Sequence, residues 1–176
     1  QQVPYVLFNI YMELPVRNEI ANLKIIKKLD YNRLIKHKND TENYLLIEKT
    51  KMFIIRNKFK TSNSPQSGGQ KISEISKPLK RIIHAYIKQL DPEDNRLFPT
   101  LYPKPNKDGA MPEYSTPELN LTKLLTRTTE KLLNGKKIST TILAKLTTTH
   151  TLENTPPLDV PSAIIKIADV RGTSLN

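Results

Sequence analysis

Residues 43–62, NYLLIEKTKMFIIRNKFKTS, decide the fold class. Tyr44, Ile47, Phe53, Ile54 and Ile55 are β-branched or aromatic residues with a period close to two, and they flank a polar tetrapeptide at 48–51. That pattern predicts a β-hairpin turning at 48–51. Residues 23–28 show the same short period, and the two runs together predict a small antiparallel sheet of three strands. Directly after the hairpin, residues 61–70, TSNSPQSGGQ, hold almost nothing that a core would accept, so a flexible surface loop is expected there.

Outward from the sheet the period lengthens. Val3, Val6, Leu7, Ile10, Tyr11 and Leu14 recur at helical spacing and stop before Pro15. Leu79, Ile82, Ile83, Tyr86, Ile87 and Leu90 follow the i, i+3, i+4, i+7 rule, with Ser76 placed as a cap and Pro78 in the first turn. Residues 91–115 are rich in Pro, Gly, Asn and Asp and predict a long surface connection. Thr116 then caps a helix opened by Pro117 and carried by Leu119, Leu121, Leu124, Leu125, Leu132 and Leu133, closing at Asn134 and Gly135. Ser139 caps a further helix whose Ile142, Leu143 and Leu146 are expected to pack a core. After the break at Pro156 and Pro157, a last helix is expected over 162–170, with Gly172 past its end. The sum is an α+β chain, mostly helical, with a small sheet set against a helical bundle in one domain over 1–176.

Cysteine is absent, which excludes disulfide frameworks, thiol catalysis and thiolate metal sites. His37, His84 and His150 stand too far apart in sequence for a local metal-binding pair, so neither a metal nor a cofactor is expected. His150 follows a threonine run and reads as a surface or cap residue. No run approaches the roughly 20 consecutive apolar residues that span a bilayer. The opening segment has neither the basic leader nor the small-residue cleavage site of a signal peptide, which points to an intracellular protein. Because the chain opens directly in a core-like apolar segment, residues before Gln1 are expected to be missing or to belong to another domain. The formal net charge of +11 is unevenly spread. Residues 1–60 hold 12 basic and 6 acidic side chains and residues 61–90 hold 5 and 1, whereas residues 91–113 hold 3 and 5. The positive potential therefore gathers around the sheet and its loop, and it favours a polyanionic partner.

Local strings make the order of elements more specific. They are LPVRNEIANLKII at 14–26, the hairpin at 43–62, the helix around Ile82, LFPTLYP at 97–103, and LTKLLTRTTEKLLNGKKISTTILAKL at 121–146. In that order they resemble the catalytic domain of the tyrosine recombinases, and most of all the divergent integrase-like members of large DNA viruses and mobile elements. The resemblance covers residues 3–176. It implies that family's fold and its chemistry, in which a tyrosine attacks a DNA phosphate, forms a phosphotyrosine link and releases a 5′ hydroxyl. Two arginines, a hairpin lysine acting as general acid, a His or Trp and the tyrosine fill the roles. Cations are needed because the transition state places negative charge on non-bridging oxygens.

The family's first arginine lies in R-x-x-E. Glu19 matches the acid, Val16 falls on the arginine position and Arg17 stands one residue on. Either Arg17 has taken over the role, a shift that on a helix turns a side chain by about 100°, or the arginine is lost. Lys60 in KFKTS matches the hairpin lysine, which can protonate the leaving oxygen when neighbouring charge lowers its pKa. Lys58 and Lys60 equally read as solvated charges at a strand end. The second arginine box, H-x-x-R followed by His or Lys, falls on Thr141, Ala144 and Lys145, and Ala144 can donate no hydrogen bond to a phosphate. The third box, G-H-S, falls on Gly172, Thr173 and Ser174, with Thr173 in place of histidine. The last tyrosine is Tyr114, so a nucleophile is expected beyond Asn176. Arg171 reads as a charge that suits a helix C-terminus.

Several independent departures at these boxes imply a DNA-binding, recombinase-derived protein that has lost strand cleavage. In a viral setting it would be a virion or DNA-packaging component, found in the nucleus or the virion. Two alternatives stay open. One is an active tyrosine recombinase or integrase using Arg17 and Lys60, with its nucleophile beyond residue 176. The other is a scaffold or virion interaction protein that does not bind DNA. The expected partner is double-stranded DNA, met at its phosphates by Lys24, Lys27 and Lys28 on the first strand, by Lys58, Lys60 and Lys71 around the loop, and by Lys136 and Lys137. Such contacts position a duplex without reading bases. Aromatic residues make up 6% of the chain and are not interleaved with these lysines, so stacking on single strands is not expected. A homo-oligomer or larger assembly is compatible with this reading, and no membrane partner is expected.

Overall fold

Apolar alternation through the hairpin organises the molecule. The computed structural model describes residues 2–35, 42–64 and 69–173. Its sheet holds β1 (Lys24–Lys27), β2 (Tyr44–Ile47), β3 (Met52–Arg56) and β4 (Lys71–Glu74), side by side in that order. In the hairpin Tyr44 lies opposite Ile55 and Ile47 opposite Met52, and the Glu48 N–H donates to the Lys51 carbonyl at 3.0 Å to close the turn.

The sheet departs from the expected three antiparallel strands in two ways. A fourth strand, β4, pairs antiparallel with β3, placing Arg56 opposite Lys71. Moreover, β1 runs parallel to β2. A parallel neighbour needs a crossover connection, and here it contains α2 (Lys28–Leu34). Lys28, expected on the first strand, instead opens that helix. Of the expected loop at 61–70, residues 65–68 lie outside the described residues.

Strand parity sorts the side chains. Leu45, Met52 and Ile54 enter the main core, while Tyr44, Leu46 and Ile55 join Tyr31 of α2 in a smaller cluster on the opposite face. Arg56 shares the parity of Met52 and Ile54, and it is fully buried.

The main core is closed by α1 (Gln2–Glu13), α3 (Lys77–Ile87) and α4 (Pro117–Leu132), followed by α5 (Thr140–Glu153) and α6 (Val160–Arg171). Ser76, Thr116 and Ser139 each accept a backbone N–H three residues on at 3.3 Å, capping α3, α4 and α5. Positive φ at Asn134 and Gly135 ends the α4 run. Leu121 and Leu125 carry α4 into the core, whereas Leu132 and Leu133, expected there as well, are exposed.

Helix α5 also turns differently from expectation. Thr140, Ala144 and Thr147 face inward, while Ile142 and Leu146 are exposed and Leu143 is partly buried. Small residues at this spacing let α5 approach α1, where Thr147 Oγ1 donates to the Tyr11 carbonyl. The hydroxyl of half-buried Thr148 also bonds the Ala144 carbonyl one turn back, at 2.9 Å, which lowers the cost of placing a polar group against a core.

Residues 91–115 do not run wholly over the surface. Leu97, Phe98 and Leu101 belong to the core, and the Leu97 N–H donates to the Leu23 carbonyl at 2.8 Å, so this segment covers the outer edge of β1. Among the described residues no helix is long and apolar enough to cross a membrane.

Candidate nucleic-acid interface

The turn before β1, the end of β3, the first turn of α4, the inner face of α5 and the end of α6 enclose a concavity of about 960 Å³. Of the positions singled out in the sequence, Val16, Arg17, Lys24, Lys58, Lys60, Thr141 and Ala144 line it. Thr173 does not. Its N–H and hydroxyl both bond the Ala168 carbonyl, at 3.0 and 3.4 Å, as a cap on α6. Ser174 lies outside the described residues. Lys145 is exposed and does not line the concavity, nor do Lys27, Lys28, Lys71, Lys136 and Lys137.

Val16 is a buried part of the wall, and Arg17 follows it in extended backbone at the entry to a 3-10 turn, Asn18–Asn22. Arg17 is half-buried, and its Nε has no hydrogen-bond partner. The lysines are held from below. Asn43, itself buried, accepts the N–H groups of Asn57 and Lys58 at 2.9 and 2.8 Å and donates to the Lys58 carbonyl at 2.8 Å. Thr61 Oγ1 donates to the Gly172 carbonyl, which ties the turn bearing Lys60 to the end of α6. Lys58 and Lys60 project from this fixed frame into solvent.

Arg56 is the structural centre of the site. Its Nη1 donates to Glu19 Oε1 at 2.8 Å, its Nη2 donates to the Val170 carbonyl, and its guanidinium carbon lies 5.6 Å from the centre of the Phe59 ring. One buried cation thereby joins the turn that carries Arg17 to the end of α6. Sequence reasoning passed over Arg56, although strand parity alone places it on the core side.

Arg171 was also missed as a site residue. The last residue of α6, it lines the concavity, and its Nη1 donates to the Pro15 carbonyl at a long 3.5 Å. Burial lowers its pKa, and so does the positive charge of Arg17. A helix-end role accounts for the charge but not for this inward placement. No sequence spacing links residue 171 to residue 17.

Five cations, Arg17, Lys24, Lys58, Lys60 and Arg171, face three carboxylates, Glu19, Glu42 and Glu118, along the lining. All three carboxylates are engaged. Glu19 holds Arg56, Glu42 pairs with Lys24 at 3.2 Å and Glu118 accepts from Asn22 Nδ2. Among the described residues Arg17, Lys58, Lys60 and Arg171 have no ion pair. Elsewhere Lys28 pairs with Glu48, Lys71 with Asp169 and Lys137 with Glu130, at 2.6, 2.6 and 3.3 Å.

One tyrosine, Tyr102, lines the concavity. Burial raises its pKa; Arg96, 4.8 Å from its ring centre, opposes the shift, and Glu42, Glu118 and Asp94 add to it. That environment disfavours the phenolate. Tyr114 is exposed on the 91–115 segment.

No family model and no curated protein matches the chain. A solved structure described as the crystal structure of XerA recombinase superposes with a TM-score of 0.54 at 15% sequence identity, over 98% of this chain and 53% of that one. The chain thus spans about half the length of that recombinase's chain. The strand count aside, this chain has a tyrosine-recombinase-like fold.

Proposed function

We propose that the chain binds double-stranded DNA through phosphate contacts in and around the concavity and does not cleave the strand. The observation that carries this reading is the set of four cations, Arg17, Lys58, Lys60 and Arg171, that share one concavity without ion pairs among the described residues. Cations already paired with carboxylates have less to gain from a phosphate, whereas these four can release condensed counterions from a duplex. The recombinase-like fold supports a DNA-related role.

Two positions support the loss of cleavage. Ala144 offers no donor to a developing negative charge, and Thr173 is engaged with the α6 backbone. Removing one preorganised donor of this kind costs about 10²–10³ in rate, so the loss of more than one leaves little turnover. In a virus or mobile element, a protein of this kind would organise or package DNA.

The test compares Lys58→Gln with Lys60→Gln in one double variant against Lys136→Gln with Lys137→Gln in another. The concavity pair is expected to lower duplex affinity by about 10-fold or more and to reduce the salt slope by about 2, while the remote pair changes both much less. Equal losses from the two variants would place binding elsewhere. A covalent adduct trapped on a nicked suicide duplex would contradict the loss of cleavage.

A further inference from the structure

Helix α3 carries its charge on one side. Lys77, Lys80, Arg81 and His84, with Lys88 at the C-cap, fall within about 100° of arc on the helix and form a ridge about 16 Å long. No acidic residue stands between Lys77 and Lys88, and among the described residues Lys77, Lys80, Arg81 and Lys88 have no ion pair. Glu13 of α1 is spent on the start of α3, where its carboxylate accepts the Ser76 N–H at 2.6 Å and the Ser76 hydroxyl. The cations are close enough to act on one side chain: burial lowers the pKa of His84, and the charges of Lys80 and Lys88 lower it further. Like charges at these spacings oppose the helix, so an opposite charge laid along the ridge favours it. Toward α1 the surface turns apolar. Tyr5 and Val6 of α1 and Ile82, Ala85 and Tyr86 of α3 line a groove of about 360 Å³, which Arg81 shares with the ridge. Gln2 Nε2 donates to Gln89 Oε1 at 2.5 Å and joins the two helices there. Tyr5 is 59% exposed, and none of these side chains lines the concavity.

From this pairing of a basic ridge with an apolar groove we infer a docking site for an acidic amphipathic helix of a protein partner, its apolar stripe in the α1–α3 groove and its carboxylates along the ridge. The groove decides between partners. A duplex could meet the ridge with its phosphates but would leave Tyr5, Ile82 and Ala85 uncovered, whereas a helix carries apolar and acidic side chains on adjacent faces. The ridge is as long as about three helical turns, a span that holds anchors at i, i+3, i+4 and i+7.

The test titrates the full chain into a fluorescein-labelled synthetic helical peptide of about 15 residues, with leucines at i, i+3, i+4 and i+7 and glutamates on both flanks. Anisotropy is expected to show saturable binding that a peptide with serine for leucine loses, and that a peptide with glutamine for glutamate weakens by about 10-fold or more. Combining Arg81→Glu with Lys88→Glu should weaken binding of the acidic peptide by about 10-fold or more. Ala85→Arg separates groove from ridge. It adds a positive charge yet fills the groove, so docking predicts weaker binding where attraction of charge alone predicts tighter. Thermal melting of each variant reports on folding. Tighter binding by Ala85→Arg, equal binding of the glutamate and glutamine peptides, or no binding by the unaltered protein would overturn the proposal. So would displacement of the peptide by a duplex that the protein with Arg81→Glu and Lys88→Glu no longer binds, which would assign the ridge to nucleic acid.

Discussion

Arg56→Leu is expected to lower the unfolding free energy by about 3–5 kcal/mol, the range for removing one partner of a buried ion pair. The loss does not measure the attraction alone. Glu19 has a side chain only 11% exposed and would be left without its cation, and the Val170 carbonyl would lose its donor. The same argument predicts that adding Glu19→Leu to Arg56→Leu recovers much of the stability, since no uncompensated charge then remains buried. Urea denaturation of the four proteins in that cycle reads both effects. A loss below about 1 kcal/mol for Arg56→Leu would be the range of an exposed pair and would contradict a structural role. Recovery of stability in the double variant without recovery of duplex affinity would show that Arg56 sets the site and does not merely fill the core.

Gly172→Ala is the second large effect. Gly172 has φ of 65°, and a Cβ there would stand 2.6 Å from Phe59 Cε2 and 2.8 Å from Cδ2. Left-handed backbone costs about 1–2 kcal/mol for a residue with a Cβ. Crowding a packed ring adds about 1–3 kcal/mol, so a total of about 2–5 kcal/mol is expected. Gly135→Ala separates the two causes, because Gly135 also has positive φ but a Cβ there meets nothing within 4 Å. It should show the backbone cost alone, and Phe59→Leu should partly rescue Gly172→Ala. Equal losses at the two glycines would rule out the Phe59 contact as a cause.

Local signals made part of this fold legible in the sequence. Ser76 and Pro78 mark the start of α3, Thr116 and Pro117 that of α4, and the hairpin follows from period-two alternation around 48–51. Short elements lacked such signals. Strand β4 is four residues with one buried side chain, Ser73, and α2 buries only Tyr31. Their identity comes from tertiary pairing, with β3 in one case and across the β1-to-β2 crossover in the other. Helix α5 misled for a different reason. Its apolar residues suggested a core face, but close approach to α1 selects Ala144 and threonines whose hydroxyls bond the backbone.

The site divides in the same way. Arg17 and Lys60 were legible as chemistry on local strings, and both line the concavity. Arg171 was not, because its relation to Arg17 is set by the Arg56 bridge across three segments distant in sequence. Several lysines counted as free from the sequence, including Lys28, Lys71 and Lys137, have carboxylate partners in the folded chain. The net charge of +11 therefore overstates what is available to a polyanion.

The central claim is that phosphates of duplex DNA meet the unpaired cations of the concavity, and the salt dependence of duplex binding by the unaltered protein tests it most directly. With the four unpaired cations Arg17, Lys58, Lys60 and Arg171 meeting phosphates, the logarithm of the association constant should fall linearly with the logarithm of salt, with a slope of about −3 to −4. A flat response, or no binding of duplex DNA at low salt, would contradict the account.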